Sequence, residues 1–236
     1  PWGQPSAPLV HATLNGVELV FLSRHDLGHN IPPSDINYRA NIDALKRAGV
    51  TDVLSLSACG SLREDLPPGA FMVVDQYVDR TFAREKSFFG TGCVAHVSMA
   101  RPVCSRLSAM AGAAARAAGV ETVADRGTYL AMEGPQFSTK AESHLYRAWG
   151  MDVIGMTNMP EAKLAREAEL PYASVAMVTD YDCWREDLAE VNVTDVLAIL
   201  KSNVVRAQEL VRHMTSAMAG AKREPCPDGI ETVLDF

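Results

Sequence analysis

Residues with the chemistry of an anion site follow several apolar runs of this sequence. Arg24 and His25 come directly after one run, Ser57 and Ala58 end a second, and Thr157 follows a third. A guanidinium, an imidazole, hydroxyls and a turn of small residues with uncovered backbone amides suit an oxyanion such as phosphate. Each piece alone is more often a solvated loop or a tight turn, so a phosphate site depends on their convergence.

Two carboxylates, Asp180 and Asp182, follow the last strand-length apolar run. They are two residues apart, so in extended backbone they project from the same face and can address one ligand. The competing interpretation is a turn or a helix cap, because aspartate favours both. A lone histidine, His96, lies among valines. By itself it is more typical of a half-buried histidine than of a ligand.

The elements that must position these residues alternate along the chain. Strand-length apolar runs at 17–23, 50–57, 69–77, 127–132, 152–156 and 172–179 are separated by loops and by stretches of helical period. This pattern predicts one α/β domain with a mixed or mostly parallel twisted sheet flanked by helices. In such sheets ligands bind beyond the carboxyl ends of the strands, which would bring the polar groups together. The domain is expected over 1–222, with 223–236 as a C-terminal tail that forms a loop or a docking segment.

Local signals mark the ends of the helices. Ser34 follows two prolines and is predicted to cap a helix that ends at Gly49. Thr139 and Glu142 have the spacing of a capping box for a helix that runs to residue 149. Further helices are expected over 101–118, over 160–168 and from Thr194.

Composition limits the class of protein and of partner. The chain has 236 residues and a formal net charge of -7, with 29 acidic residues against 22 basic ones. This balance argues against nucleic acid, because phosphate neutralisation needs a basic face. No run approaches the ~18 uncharged apolar residues that span a bilayer. The five cysteines form no metal-spaced cluster. We expect a cytoplasmic protein with reduced cysteines, no metal site, no membrane partner and a small-molecule ligand.

The order of the segments resembles the trimeric purine nucleoside phosphorylases. The resemblance runs from Pro1 to about residue 210 and rests on RH at 24–25, NYRAN at 37–41, SACGSLR at 57–63, EGPQFS at 133–138, MT at 156–157 and TDYDCW at 179–184. It implies the nucleoside phosphorylase fold, a homotrimer, and phosphorolysis, in which phosphate attacks the ribosyl C1' as the purine leaves. It implies no cofactor and no metal, because phosphate is itself the co-substrate.

The same resemblance assigns roles to individual residues. Those that stand where the family holds phosphate are Arg24, His25, Ser57, Ala58 and Thr157. Those at the base are Phe137, Ser138, Asp180 and Asp182, and Met156 packs on the ribose. Those at the 5' substituent are Val193, Val196 and Leu197, together with His96 of the partner subunit. Asp180 matches the residue that approaches purine N7, so it is the candidate general acid, kept protonated by burial beside Asp182.

Hydrogen-bond polarity selects the base. Adenine offers a 6-amino donor to a carboxylate, whereas hypoxanthine and guanine offer an acceptor that it repels. Ser138 also stands where relatives specific for 6-oxopurines carry glutamate. The expected substrate is therefore S-methyl-5'-thioadenosine. The alternatives are methylthioinosine, adenosine or a 6-oxopurine nucleoside and, in another class, a nucleoside-binding protein that has lost catalysis.

Three departures from the family pattern bear on the site. Asp26 stands where glycine commonly follows the Arg-His pair, and Gly155 replaces a commoner asparagine. Family members also begin with a strand and a glycine-rich phosphate loop before the segment that matches Pro1. The sequence starts at Pro1 without methionine, so we expect that strand and loop to lie outside it.

Overall fold

A seven-stranded sheet forms the centre of the computed structural model, which describes residues 1–185 and 193–234, without the side chains of 193–196. The strands of this sheet are β3 (Val53–Ser61), β4 (Phe71–Val74), β5 (Gln76–Asp79), β6 (Val123–Ala124), β7 (Thr128–Ala131), β8 (Val153–Gly155) and β9 (Tyr172–Asp180). Their spatial order is β5-β7-β8-β3-β9-β4-β6. A separate hairpin, β1 (Val10–Leu14) and β2 (Val17–Phe21), precedes them.

The sheet is mixed. Parallel pairs join β3 to β9, β4 to β6, β5 to β7 and β7 to β8, whereas β8 is antiparallel to β3 and β4 is antiparallel to β9. The predicted α/β class with a mixed, mostly parallel sheet is confirmed. Strand β1 alternates apolar and polar residues but is mostly exposed, and it is not among the strands that the sequence predicts.

One connecting residue shows that the sheet curls. Strand β4 lies near one end of the spatial order and β5 at the other, yet only Asp75 separates them in sequence. One residue spans less than ~4 Å, so the two ends of the sheet must approach each other as in a partly closed barrel. Asp75 also accepts a hydrogen bond from the amide of Gly127 at 3.1 Å. The single strand expected over 69–77 is therefore two strands.

The helices lie on both faces of the sheet. They are α1 (Tyr38–Arg47), α2 (Ser105–Ala117), α3 (Lys140–Ala148), α4 (Asn158–Glu167) and α5 (Val193–Met218), followed by a short 3-10 helix (Ile230–Thr232). Within the described residues, no helix is both long and apolar enough to cross a membrane.

The expected caps are partly right. Thr139 and Glu142 form the predicted capping box at the start of α3. Ser34 is not the cap of α1, because the helix begins later and the side chain of Asn37 accepts from the amide of Ala40. The hydroxyl of Ser34 donates instead to Glu133. Proline at 32 and 33 thus starts a loop that packs on the neighbouring turn.

Two apolar layers hold the helices to the sheet. One contains Met72, Tyr129 and Tyr172 with α1 and α4, and the other contains Phe71 and Leu210 with α2 and α5. All five side chains are almost completely buried. This burial fixes the strand ends from which the polar residues project.

Candidate functional site

Two hydroxyls meet where β8 passes β3. Ile154 of β8 lies opposite Gly60 in antiparallel register, so the chain that leaves β8 runs back along β3 and brings Thr157 to Ser57. Their hydroxyl oxygens are 3.2 Å apart, and both residues are buried. The expectation that strands meet at one carboxyl edge is wrong for β8, because an antiparallel strand delivers this hydroxyl.

Arg24 lies against the same strand and is held by Glu161 of α4. Its Nε donates to Glu161 Oε2 at 2.5 Å and its Nη2 to Oε1 at 3.1 Å. Its Nη1 donates to the carbonyl of Leu56 at 3.3 Å, next to Ser57. Burial opposes the charge of Arg24, but the adjacent carboxylate raises the pKa of the guanidinium. Arg24 is therefore a positively charged group held in a fixed position next to Ser57 of the hydroxyl pair.

His25 is half-buried beside Arg24. Its ring stacks on His29 with centroids 4.1 Å apart, and its Nδ1 lies 2.8 Å from the carbonyl oxygen of Ile31. Burial lowers the pKa of His25, which favours a neutral ring whose Nδ1 donates and whose Nε2 accepts. Asp26 has a φ of +62°. That left-handed backbone favours glycine and explains why glycine is common at this position.

Open space borders Arg24 and Glu161, but not His25, Ser57 or Thr157. A cavity of about 630 Å³ lies between β2, α1, α5 and the first half of β3, and Arg24 and Glu161 line it. In the described part of the chain, β8 pairs with β3 only at Gly60 and Ser61, so the edge formed by 53–56 faces this cavity. Asp180 does not line the cavity.

The carboxylate pair lies at the end of β9. The register between β3 and β9 shifts after Cys59, so Gly60 stands opposite Asp180. Asp180 Oδ2 accepts from the hydroxyl of Thr179 at 2.7 Å, and its Oδ1 accepts from the amide of Asp182 at 2.8 Å. Burial raises the pKa of both carboxyls, and the charge of Asp182 raises that of Asp180 further. The protonated form of Asp180 therefore persists to higher pH than in an exposed aspartate.

One oxygen of Asp182 is an acceptor without a donor. Its Oδ2 is buried and receives no hydrogen bond from the described residues. The hydroxyls of Ser143 and Ser138 lie near this carboxylate and partly offset the effect of burial on its pKa, but the Ser143 hydroxyl is also left without a hydrogen-bond partner among the described residues and that of Ser138 donates to Met132. A buried acceptor left unpaired costs free energy, so the arrangement suits a ligand that brings an N–H group.

A short stretch of β3 separates the two polar groups. Ser57 and Gly60 are three residues apart, roughly 10 Å in an extended strand. A Cβ on Gly60 would lie 2.9 Å from Asp180 Oδ1, so glycine allows the carboxylate to approach the strand. An anion at the hydroxyl pair and a ligand that brings donors to the carboxylates match this spacing.

The loop between β7 and α3 borders the carboxylates. Phe137 in this loop is 57% exposed, and the carbonyl of Ser138 accepts a hydrogen bond from the thiol of Cys183 at 3.2 Å. Met156 is half-buried, and its sulfur would lie 2.4 Å from a Cβ on Gly134. The loop, the methionine and the carboxylate segment are therefore packed together.

The residues expected at the 5' substituent are not gathered in the same way. His96 is exposed in the irregular segment between β5 and α2, and Leu197 on α5 is 49% exposed. The side chains of Val193 and Val196 lie outside the described residues. The roles of these four residues stay predictions.

The comparison with protein families decides the identity of the fold. The model of the phosphorylase superfamily matches residues 1–216. The chain belongs to the phosphorylase superfamily. The family resemblance inferred from the sequence motifs is thereby confirmed.

Relatives within the superfamily match the whole chain. The S-methyl-5'-thioadenosine phosphorylase of Bradyrhizobium diazoefficiens is 60% identical over 235 residues, which are 100% of this chain and 80% of the relative. The enzyme of the same name from Rhodospirillum rubrum is 57% identical over 242 residues, covering 100% of this chain and 79% of the relative.

Solved structures of the superfamily share the fold. A double mutant of adenosine/methylthioadenosine phosphorylase from Schistosoma mansoni in complex with adenine matches with a TM-score of 0.93 at 38% identity, covering 99% of this chain and 90% of that one. A single mutant of that enzyme in complex with methylthioadenosine matches with a TM-score of 0.88 at 39% identity, covering 98% and 86% of the two chains.

Arg84, which the sequence analysis did not find, is buried between two turns that border the candidate site. Its side chain is 1% exposed. Its Nη1 donates to the carbonyls of Met156 at 2.5 Å and Met159 at 2.6 Å, and its Nη2 donates to the carbonyl of Glu133 at 2.7 Å. Arg84 thus ties the turn after β8 to the turn after β7. A single arginine in a loop gives no periodic signal that could have revealed this.

Tyr129 accounts for the glycine at 155. A Cβ on Gly155 would lie 1.9 Å from the Tyr129 hydroxyl oxygen. That hydroxyl accepts from the amide of Thr157 at 3.5 Å and lies beside Ser57. Tyr129 thus fills the space that an asparagine side chain at 155 would need, and its hydroxyl packs against the hydroxyl pair.

Proposed function

We propose that this chain catalyses the phosphorolysis of S-methyl-5'-thioadenosine to adenine and 5-methylthioribose 1-phosphate, as a pentosyltransferase. The observation that carries the proposal is the buried pair Asp180 and Asp182, whose raised pKa values and unpaired oxygen suit a purine that must be protonated and recognised. The names of the full-length relatives support the same reaction.

The hydroxyl pair and its cation suit the nucleophile. Phosphate held by Ser57 and Thr157 beside Arg24 has donors for its oxygens, and the neutral His25 can accept from a protonated one. The exposed Ala58 leaves the next stretch of backbone uncovered. A phosphate oxygen then attacks C1' while the bond to the purine breaks. The nucleophile is already an anion, so the reaction needs no cofactor and no metal to generate it.

The leaving group departs toward the carboxylates. Asp180 donates its proton to N7 as negative charge develops on the purine, a contribution typically of ~10²–10⁴ in rate. Asp182 Oδ2 then accepts from the 6-amino group of adenine. A 6-oxo base would set two acceptors against each other, and sites of this kind discriminate by ~10⁴. Phe137 and Ser138 border the base, and Met156 packs on the ribose.

The 5' end of the nucleoside completes the proposal. We place the thiomethyl group against Val193, Val196 and Leu197 and against His96 of the partner subunit, so the active assembly is a homotrimer. Phe82 at 82%, Val94 at 68% and Phe137 at 57% exposure leave apolar surface that a subunit interface would bury. Five free cysteines fit the reducing cytoplasm, where we place this enzyme in purine and methionine salvage.

Release of free base by the full-length protein tests the reaction. We expect adenine from S-methyl-5'-thioadenosine only when phosphate is present, and little hypoxanthine from methylthioinosine or inosine. Adenosine is the second candidate substrate, because the Schistosoma mansoni relative is named for both nucleosides. Faster release of hypoxanthine would contradict the choice of base. Tight nucleoside binding without phosphate-dependent release would identify a nucleoside-binding protein instead.

A further inference from the structure

Two cysteines that are far apart in sequence meet outside the proposed active site. Cys104 is the N-cap residue of α2, and Cys226 belongs to the C-terminal segment 223–234. Their sulfur atoms and a carboxylate oxygen of Asp228 all lie within 4.8 Å of one another. Both cysteines are buried, and both are free thiols. Sequence spacing gave no sign of this cluster, because only the fold brings its two halves together.

A buried cation faces the cluster. Arg166 of α4 is 4% exposed, and its Nη2 donates to the carbonyl of Arg101. Its Nε is buried without a hydrogen-bond partner among the described residues. Its charge interacts with Cys226, Asp228 and Cys104. A guanidinium stabilises a neighbouring thiolate once it forms, although burial, Cys104 and Asp228 keep the pKa of Cys226 raised.

Polar contacts already hold the segment 223–234 in place around these sulfurs. Asp228 accepts from the amide and the hydroxyl of Ser105 at 2.7 and 2.8 Å, at the first turn of α2. Arg223 pairs with Asp52 at 2.7 Å and with Glu231 at 2.5 Å. The segment that carries Cys226 is therefore held against the start of α2, which carries Cys104, and the two sulfurs are kept close together.

We propose that Cys104 and Cys226 form a reversible disulfide that fastens the C-terminal segment to the start of α2. The oxidant is a low-molecular-weight disulfide. The Cys226 thiolate, nearer the surface, attacks one of its sulfurs and releases one small thiol. The Cys104 thiolate then attacks the Cys226 sulfur of this mixed disulfide and releases the second. Two protein thiols lose their protons and two electrons, and the oxidant becomes two small thiols.

The surroundings favour a disulfide over a bound cation. A metal ion at these three ligands would lie beside the positive charge of Arg166. A disulfide is neutral and leaves Asp228 paired with Ser105 and close to the guanidinium. Burial raises the pKa of Cys226 to about 12, so little thiolate is present near neutral pH and oxidation is slow.

Thiol counting tests the proposal directly. The reduced full-length protein is held with excess oxidised glutathione, quenched in acid, denatured and alkylated. We expect one cross-linked peptide pair that contains Cys104 and Cys226, and neither cysteine among the alkylated peptides, whereas any glutathione bound to the exposed Cys93 is recognised by its added mass. Cys226→Ser must lose the cross-link. Cys93→Ser, at an exposed cysteine, is the matched control and must keep it.

Thermal unfolding supplies a second readout. The disulfide closes a long loop, so the melting temperature of the oxidised protein is expected to rise by roughly 6–12 °C. Cys93→Ser should show the same rise and Cys226→Ser none. Five thiols after oxidation, a cross-link that excludes Cys226, or one tightly bound zinc ion per chain that Cys226→Ser abolishes would each overturn the proposal. None of these outcomes depends on the phosphorylase activity.

Discussion

Protonation of Asp180 controls the proposed chemistry at the scale of a single residue. Burial raises its pKa above the ordinary value of 3.8, and only the protonated form can donate to N7. Activity on S-methyl-5'-thioadenosine is therefore expected to fall as pH rises through the raised pKa. Asp180→Ala is expected to lower kcat by ~10²–10⁴ and to remove this limb of the pH profile. An unchanged kcat in the variant would remove Asp180 from the mechanism.

The same raised pKa makes Asp180 a cost to stability. A carboxyl whose pKa is higher in the folded state contributes stability at low pH, and that contribution is lost as pH rises from 3.8 through the folded pKa. Asp180→Asn cannot ionise, so its stability relative to the native chain should improve over this window. Urea unfolding of both proteins at several pH values measures the difference. A constant difference across the window would contradict the raised pKa.

Gly155 is constrained by one neighbour, Tyr129. An alanine at 155 would place its Cβ 1.9 Å from the Tyr129 hydroxyl oxygen and 2.6 Å from the ring carbon that carries it, and overpacking of this kind typically costs ~1–3 kcal/mol. We expect Gly155→Ala to lower the free energy of unfolding by about that amount and to raise the KM for phosphate, because Thr157 and Ser57 lie beside the same hydroxyl. Gly90→Ala is the control, since a Cβ there meets nothing within 4 Å.

Arg84 shows how separate elements depend on one side chain. Its removal leaves buried carbonyls of Met156, Met159 and Glu133 without donors. We expect Arg84→Met to cost about 3–5 kcal/mol and to raise the KM for the nucleoside more than it lowers kcat. Arg116→Met, which breaks an exposed ion pair with Asp125, is the matched control and should change neither property. Equal effects of the two variants would show that Arg84 is not a positioning residue.

The elements differ in how far the sequence predicted them. Thr139 and Glu142 reveal the start of α3 because a capping box is a local interaction. The antiparallel direction of β8, which brings Thr157 to Ser57, depends on pairing with a distant strand, and a three-residue strand carries no signal of direction. The split of β4 from β5 at Asp75 is likewise invisible in a continuous apolar run. Glu161 looks like a solvated helix residue until Arg24 is placed beside it.

Subunit assembly is the prediction that belongs to the whole molecule. Light scattering is expected to give three times the mass of one chain, because the family resemblance implies a homotrimer in which His96 acts in the site of a neighbouring subunit. Refolding a mixture of Asp180→Ala and His96→Ala chains should then give trimers in which some sites combine a native Asp180 from one chain with a native His96 from its neighbour. The ratio of activity on S-methyl-5'-thioadenosine to activity on adenosine should be higher in the mixture than in either variant alone. A monomer with full activity would contradict a shared site.

The curled sheet makes the whole molecule resist opening from its edges. Only Asp75 lies between β4 and β5, so the backbone itself closes the sheet at this point. In an open sheet an edge strand can detach by losing its hydrogen bonds one after another. Here β5 cannot detach in this way, because its chain continues directly into β4. The amides of β5 and β4 are therefore expected to exchange with deuterium together, through one cooperative opening that also releases β7 and β9. In this way one short junction couples the strand that carries the carboxylates to the far side of the fold.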